Sequence, residues 1–344
     1  MWISQDRSET PVVLGGLFGV LIVVGFAAVG VNNLDLDEWS GIFTLTTLVV
    51  VTLPVLSWIS RKENDPTLMK LLVWGMLATA VGVIVRYFVS KVLYDDVSDA
   101  GGYSNAAGEL AQLFKQGVMT SVPPGLEGRP AETQRVALVL SFVYLVTGAS
   151  RWAGSVVFAW LAFGGRLMMW RALRRAVPEA DHKRYLLLLL FFPSLLYWPA
   201  SIGKEALMTF ALGVVSYGAA LLLSDKVKAG SILVFVGGIA GLVIIRPHYG
   251  ALGVLALGVA SLVGTLRGFG GGAGLESGLV RGVAVCVLLV VAVVVLSQTA
   301  RFFGDKGSEG GVGGVLEKTL DQTTTGGSSF DPPAVSDPTD LPAA

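Results

Sequence analysis

Two residues four apart, Asp99 and Tyr103 in the stretch DAGGY, have the types and spacing for acid–base chemistry. On a helix they share one face, and Gly101 and Gly102 predict that a helix starts here rather than runs through. A carboxylate at the mouth of a membrane cavity can take a proton from an acceptor hydroxyl, because burial raises its pKa toward working pH. Asp95 and Asp96 stand just before it. The plainer alternative is that these acids keep an external loop wet and cap the following helix.

Cations that can meet an anionic substrate lie at two later junctions. In SIGKEAL, Lys204 and Glu205 open an apolar run. Ionisable groups at membrane depth are costly and are usually paired or functional. Lys204 can hold a phosphate as a point charge; otherwise it forms a helix-end pair with Glu205 and snorkels to the headgroups. In IIRPHYG, Arg246 ends an apolar run and can grip phosphate oxygens bidentately. His248, two residues on, can shuttle a proton or bind a metal, or simply be hydrogen-bonded in a turn. Arg86, in VIVRYFVS, is a further substrate-binding candidate near the outer end of its span.

Other chemistries are excluded. The chain contains no GxxxxGK[ST] loop, no GxGxxG fingerprint and no Gly-x-Ser-x-Gly elbow. With 2 His and 1 Cys it offers no HExxH and no zinc set. Cys286 lies inside an apolar run and implies no disulfide framework. The formal net charge of +0 gives no electrostatic case for nucleic acid.

The elements that must position these residues are set by composition. Of 344 residues, 53% are hydrophobic and only 15% charged, where a soluble domain carries about a quarter charged. The apolar residues fall in blocks near the length that spans a bilayer. The expected fold is all-α, a polytopic bundle with candidate spans at 11–31, 40–60, 69–89, 153–170, 185–200, 205–223, 230–246, 249–266 and 279–298. The run at 136–149 is too short to span and reads as re-entrant or interfacial. MWISQDRSET lacks a signal-peptide pattern, so the first run is a retained helix. Residues 1–300 form the membrane domain, with an extracytoplasmic loop at 90–135. Tyr103, Ala106, Leu110 and Phe114 recur at helical spacing in that loop, predicting a helix on the membrane surface. Residues 301–344 form a flexible external tail, with one short helix at 314–322, that stops as if approaching more structure.

Basic residues orient the bundle. RKEND at 61–65 and the loop 171–184, with Arg171, Arg174, Arg175, Lys183 and Arg184, are expected on the cytoplasmic side together with the N-terminus. The acidic loop, the SIGKEAL junction and the RPHYG junction then converge on the opposite, extracytoplasmic face. Pro193 and Pro199 break the segment leading to SIGKEAL, and Tyr197 and Trp198 suit an interfacial belt.

In this order the features resemble the GT-C superfamily of polytopic glycosyltransferases. Asp99, Tyr103, Ala107 and Leu110 fit its acidic external motif and the juxtamembrane helix that follows. FPSLLYWPASIGKEAL is similar to a motif in bacterial membrane proteins of surface-polysaccharide synthesis. The resemblance covers roughly residues 69–250. It implies a bacterial inner (plasma) membrane enzyme that moves a sugar from a polyprenyl-phosphate carrier to a glycan or lipid acceptor at the extracytoplasmic face. Asp99 would be the base, and Lys204 and Arg246 would hold the donor phosphate. No cofactor is required by the sequence; a divalent metal at Asp95 and Asp96, beside Asp99, is left open. The partners implied are the bilayer, the lipid-linked sugar and the acceptor. The alternatives are a lipid-linked glycan transporter or flippase, or a non-catalytic assembly subunit of an envelope complex.

Overall fold

A computed structural model describes residues 35–93, 99–224 and 228–266, and every regular element among them is a helix. In chain order these are α1 (Leu36–Lys62), α2 (Pro66–Leu93), α3 (Asp99–Lys115), α4 (Ala131–Thr147), α5 (Arg151–Ala176), α6 (His182–Phe191), α7 (Pro193–Tyr197), α8 (Lys204–Ser224), α9 (Ala229–Ile245) and α10 (Pro247–Leu266). Four of them, α1, α2, α5 and α8, are long and apolar enough to cross a membrane. Among the described residues, these four support the expected spans at 40–60, 69–89, 153–170 and 205–223. The 185–200 run is interrupted between α6 and α7, because Pro193 has no N–H to continue the ladder. The 230–246 run is α9, with 17 residues. The runs 11–31 and 279–298, the tail 301–344 with its 314–322 helix, and Asp95 and Asp96 lie outside the described residues.

Helix α5 is the central post. One core cluster joins it to α1, α2 and α6 through Leu56, Leu72, Phe163, Trp170 and Leu190. The other joins it to α3, α4, α8, α9 and α10 through Tyr103, Leu140, Phe158, Ala206, Leu242 and Val254. α5 and α8 run in the same direction, since Gly154 faces Ile202 near their starts and Arg171 lies 5.7 Å from the Tyr217 ring further along. Between those points the backbones touch. A Cβ on Gly165 would collide with the Thr209 carbonyl and Phe210, and one on Gly213 would collide with the Gly165 backbone. Small residues permit this approach, and dispersion then holds the helices where lipid supplies no hydrophobic drive between them.

Two sets of polar contacts mark the bundle's two ends. At one, Glu63 pairs with Arg174 at 2.8 Å and Asp65 with Lys183 at 3.0 Å, bringing RKEND and the 171–184 loop together as expected. Asp65 also caps α2, accepting from Thr67 N at 2.9 Å, with Pro66 taking the first helical position. At the other end, Ser150 Oγ donates to the Asp37 carbonyl at 2.9 Å and Arg151 Nη2 donates to Ser90 Oγ at 2.8 Å. The start of α1, the end of α2 and the start of α5 therefore meet.

Helix α4 has both of its ends at that second end of the bundle. Its first turn carries Thr133, bonded to Lys204 at the start of α8, and the Thr147 carbonyl at its last accepts from Ser40 Oγ near the start of α1. It then turns into α5 through Gly148, whose φ of 78° is open to glycine at little cost.

Helix α3 corrects the surface-helix expectation. Its Tyr103, Ala106 and Leu110 face is buried against α4 and the bundle rather than offered to lipid. Ser104 and Tyr144 share a 2.7 Å hydrogen bond, and the Phe114 and Phe142 rings stack at 5.5 Å. Helical spacing of apolar residues is the same whether protein or lipid covers them.

Candidate functional site

Asp99 begins α3, as the paired glycines predicted, with Tyr103 one turn in. Asp99 is exposed, whereas Ala100 and Tyr103 turn inward. The burial that the sequence reading invoked for this carboxylate is thus absent, because the inward face of the first turn is taken by its neighbours. Tyr103 is 6% exposed. Burial, reinforced by the negative charge of Asp99, pushes its hydroxyl up to about 12, although a hydrogen bond with Thr133 acts the other way.

Thr133 links two elements. It meets Tyr103 from α3 and accepts a 3.2 Å hydrogen bond from Lys204 Nζ at the start of α8. Lys204 is half-buried and lies within electrostatic reach of Glu132, Asp99 and Glu205, and of the Arg246 cation. Glu205 Oε1 is 3.7 Å from Arg246 Nη2, with both side chains well exposed. An exposed pair at that distance contributes little to stability, which leaves both groups available for other partners. Glu205 sits in the first turn of α8, where a carboxylate complements the helix dipole.

Arg246 takes an extended conformation (φ −145°, ψ 98°) because Pro247 follows, and α10 begins there. His248 packs against Tyr249 with ring centroids 4.8 Å apart, one residue beyond that bend. Arg135 Nη1 donates to the Ile244 carbonyl, tying α4 to the last turn of α9.

Asp99, Tyr103, Lys204, Glu205 and Arg246 are therefore gathered at one end of the bundle, and His248 adjoins Arg246. Arg86 has a different set of partners. Its Nη1 donates to Tyr197 Oη at 2.7 Å, and its guanidinium lies 4.6 Å from the Tyr197 ring and 5.1 Å from the Trp198 ring. The metal expectation at Asp95 and Asp96 falls outside the described residues. Among those described, no group of three His, Cys, Asp or Glu side chains is placed to hold a metal ion.

Sequence reasoning missed Glu132 and Thr133. They sit in AETQR, an ordinary polar helix start, and only the position of α4 beside α8 gives them a role. Chemically, the cluster offers a solvent-reachable carboxylate, a neutral phenol donor, and two cations spaced around further acids. Compared with protein-family models, with curated proteins and with solved structures, the chain finds no match in any of the three.

Proposed function

We propose that this protein is a membrane glycosyltransferase that moves a sugar from a polyprenyl-phosphate carrier to a glycan or lipid acceptor at the extracytoplasmic face of a bacterial inner membrane. The observation supporting it is the meeting of Asp99 and Tyr103 with Lys204 and Arg246, carried through Thr133 and Glu205. Asp99 acts as base toward the acceptor hydroxyl. Lys204 and Arg246 stabilise the charge that grows on the departing phosphate. Tyr103 donates a hydrogen bond, and α4 lies in the membrane interface with its exposed Phe142 and Val146 toward lipid.

Transport is the second reading, and one observation favours it: Arg166 lies deep within α5, where a permeation path would need charge. Arg166 is 1% exposed, however, and so lines no route. A non-catalytic assembly subunit would use the same charges to hold a partner.

The test is Asp99→Asn in protein reconstituted with a polyprenyl-phosphate-linked sugar. Product formation is expected to fall by about 100-fold or more, in line with loss of a general base, while insertion and thermal unfolding stay unchanged. Full turnover in a folded Asp99→Asn protein sinks the reading.

A further inference from the structure

Halfway along α5 lies a cation that the site above does not use. Arg166 is 1% exposed, and among the described residues no carboxylate pairs with it. Its Nη2 donates to Thr79 Oγ1 of α2 at 2.8 Å, and its Nη1 points to the Leu189 carbonyl of α6 at 3.4 Å. The guanidinium carbon is 5.8 Å from the Phe163 ring, and Nε makes no hydrogen bond.

The Leu189 carbonyl is a special acceptor. In an unbroken helix it would be paired with the N–H of residue 193. That residue is Pro193, which has none. Leu189 is 6% exposed, so this acceptor belongs to a residue largely withdrawn from solvent. Carbonyls at the end of α6 also carry the negative end of its dipole. Thr79 is oriented to match: its hydroxyl proton goes to the Gly75 carbonyl at 2.8 Å, leaving lone pairs for the guanidinium. Gly75 in turn lets α2 approach α6 closely, since a Cβ there would stand 2.7 Å from Leu190 Cδ1.

We infer that Arg166 is a positioning residue that caps the helix break between α6 and α7, supplying the donor that Pro193 withholds and tethering that break to α2 and α5. It thereby sets the angle at which α7 presents Tyr197 and Trp198 to Arg86. A planar fork with several donors suits two acceptors on two helices, which a lysine ammonium on its flexible stem does not reproduce. The inference stands apart from the transfer reading, and its test uses no activity.

The test is a double-mutant cycle on purified full-length protein, read as the thermal unfolding midpoint. Arg166→Gln is expected to lower the midpoint strongly when Pro193 is present. In a Pro193→Ala background, where residue 193 regains its N–H, at least half of that penalty should disappear. A second readout is the 5-fluorotryptophan resonance of Trp198, assigned with Trp198→Phe, which should move in Arg166→Gln. Equal penalties in both backgrounds, or an unmoved Trp198 resonance, overturn the inference. Should the glutamine variant fold in neither background, the same comparison is read on Arg166→Lys, with the same two outcomes.

Discussion

At the scale of a single residue, the Tyr103 hydroxyl shows what burial beside a carboxylate does. Held at about 12 by burial and by Asp99, it stays protonated through the neutral range and acts only as a hydrogen-bond donor or acceptor. In protein carrying ¹³C-labelled tyrosine, the Tyr103 ring-carbon signal, assigned with Tyr103→Phe, should show no ionisation up to about pH 10.5; titration at the ordinary tyrosine value of about 10 contradicts the buried placement. Under the transfer reading, Lys204→Met should raise KM for the lipid-phosphate donor roughly tenfold, as expected for a lost charge-assisted contact. A kcat loss with unchanged KM would instead place Lys204 outside donor binding. Lys204 and Arg246 were legible in the sequence because they interrupt apolar blocks at helix ends, and Asp99 because it stands four residues before Tyr103. Arg166 was not, because one arginine inside the long apolar run of α5 hardly alters its character. Its significance depends on Thr79 and Leu189, which are remote in sequence.

At the scale of elements, contacts between helices are governed by what a side chain would displace. Gly165→Ala puts a methyl group into the backbone of α8, so the helices must separate. Gly164, its neighbour, has open space around the same added atom. Gly165→Ala should cost about 1–3 kcal/mol, the usual penalty of overpacking, and Gly164→Ala close to nothing, when compared by thermal unfolding in one detergent. Equal effects would mean that α5 and α8 are not in backbone contact. A second element-level prediction concerns the cap of α2. Hydrogen bonds from Thr67 and Lys183 hold the Asp65 carboxyl down at about 2, below the usual aspartate range. A depressed folded-state value means stability that is fully present above about pH 4 and is lost as pH falls toward 2. Asp65→Asn should therefore lower the unfolding midpoint at pH 7 and converge with the parent near pH 2; a constant offset across that window refutes the linkage. The helices themselves were largely legible, since blocks of apolar residues and the prolines at 193 and 247 bound them. What covers the apolar face of α3 was not, because periodicity reports that a face is buried without saying by what.

At the scale of the whole molecule, the described helices arrange their polar junctions at two ends. One holds the 61–65 turn and the 171–184 loop, and the other holds Asp99, Lys204 and Arg246. Single cysteines placed at Asn64 and Ala180, with Cys286→Ala as background, should react with an impermeant thiol reagent from one side of the membrane. A cysteine at Gly102 should react from the other. Labelling of Asn64→Cys and Gly102→Cys from the same side would overturn the arrangement.

The lateral course of α4 has a consequence for how such a protein is made. A segment that enters and leaves at the same end adds nothing to the count of crossings, so the handedness of everything after it depends on its being refused by the insertion machinery. The polar opening AETQR and the short apolar run after it favour that refusal. Adding four leucines to α4 would bring it to spanning length, and α5 through α10 would then be threaded upside down during synthesis. Lys204 and Arg246 would be delivered to the opposite compartment from Asp99 without any of the three having been altered.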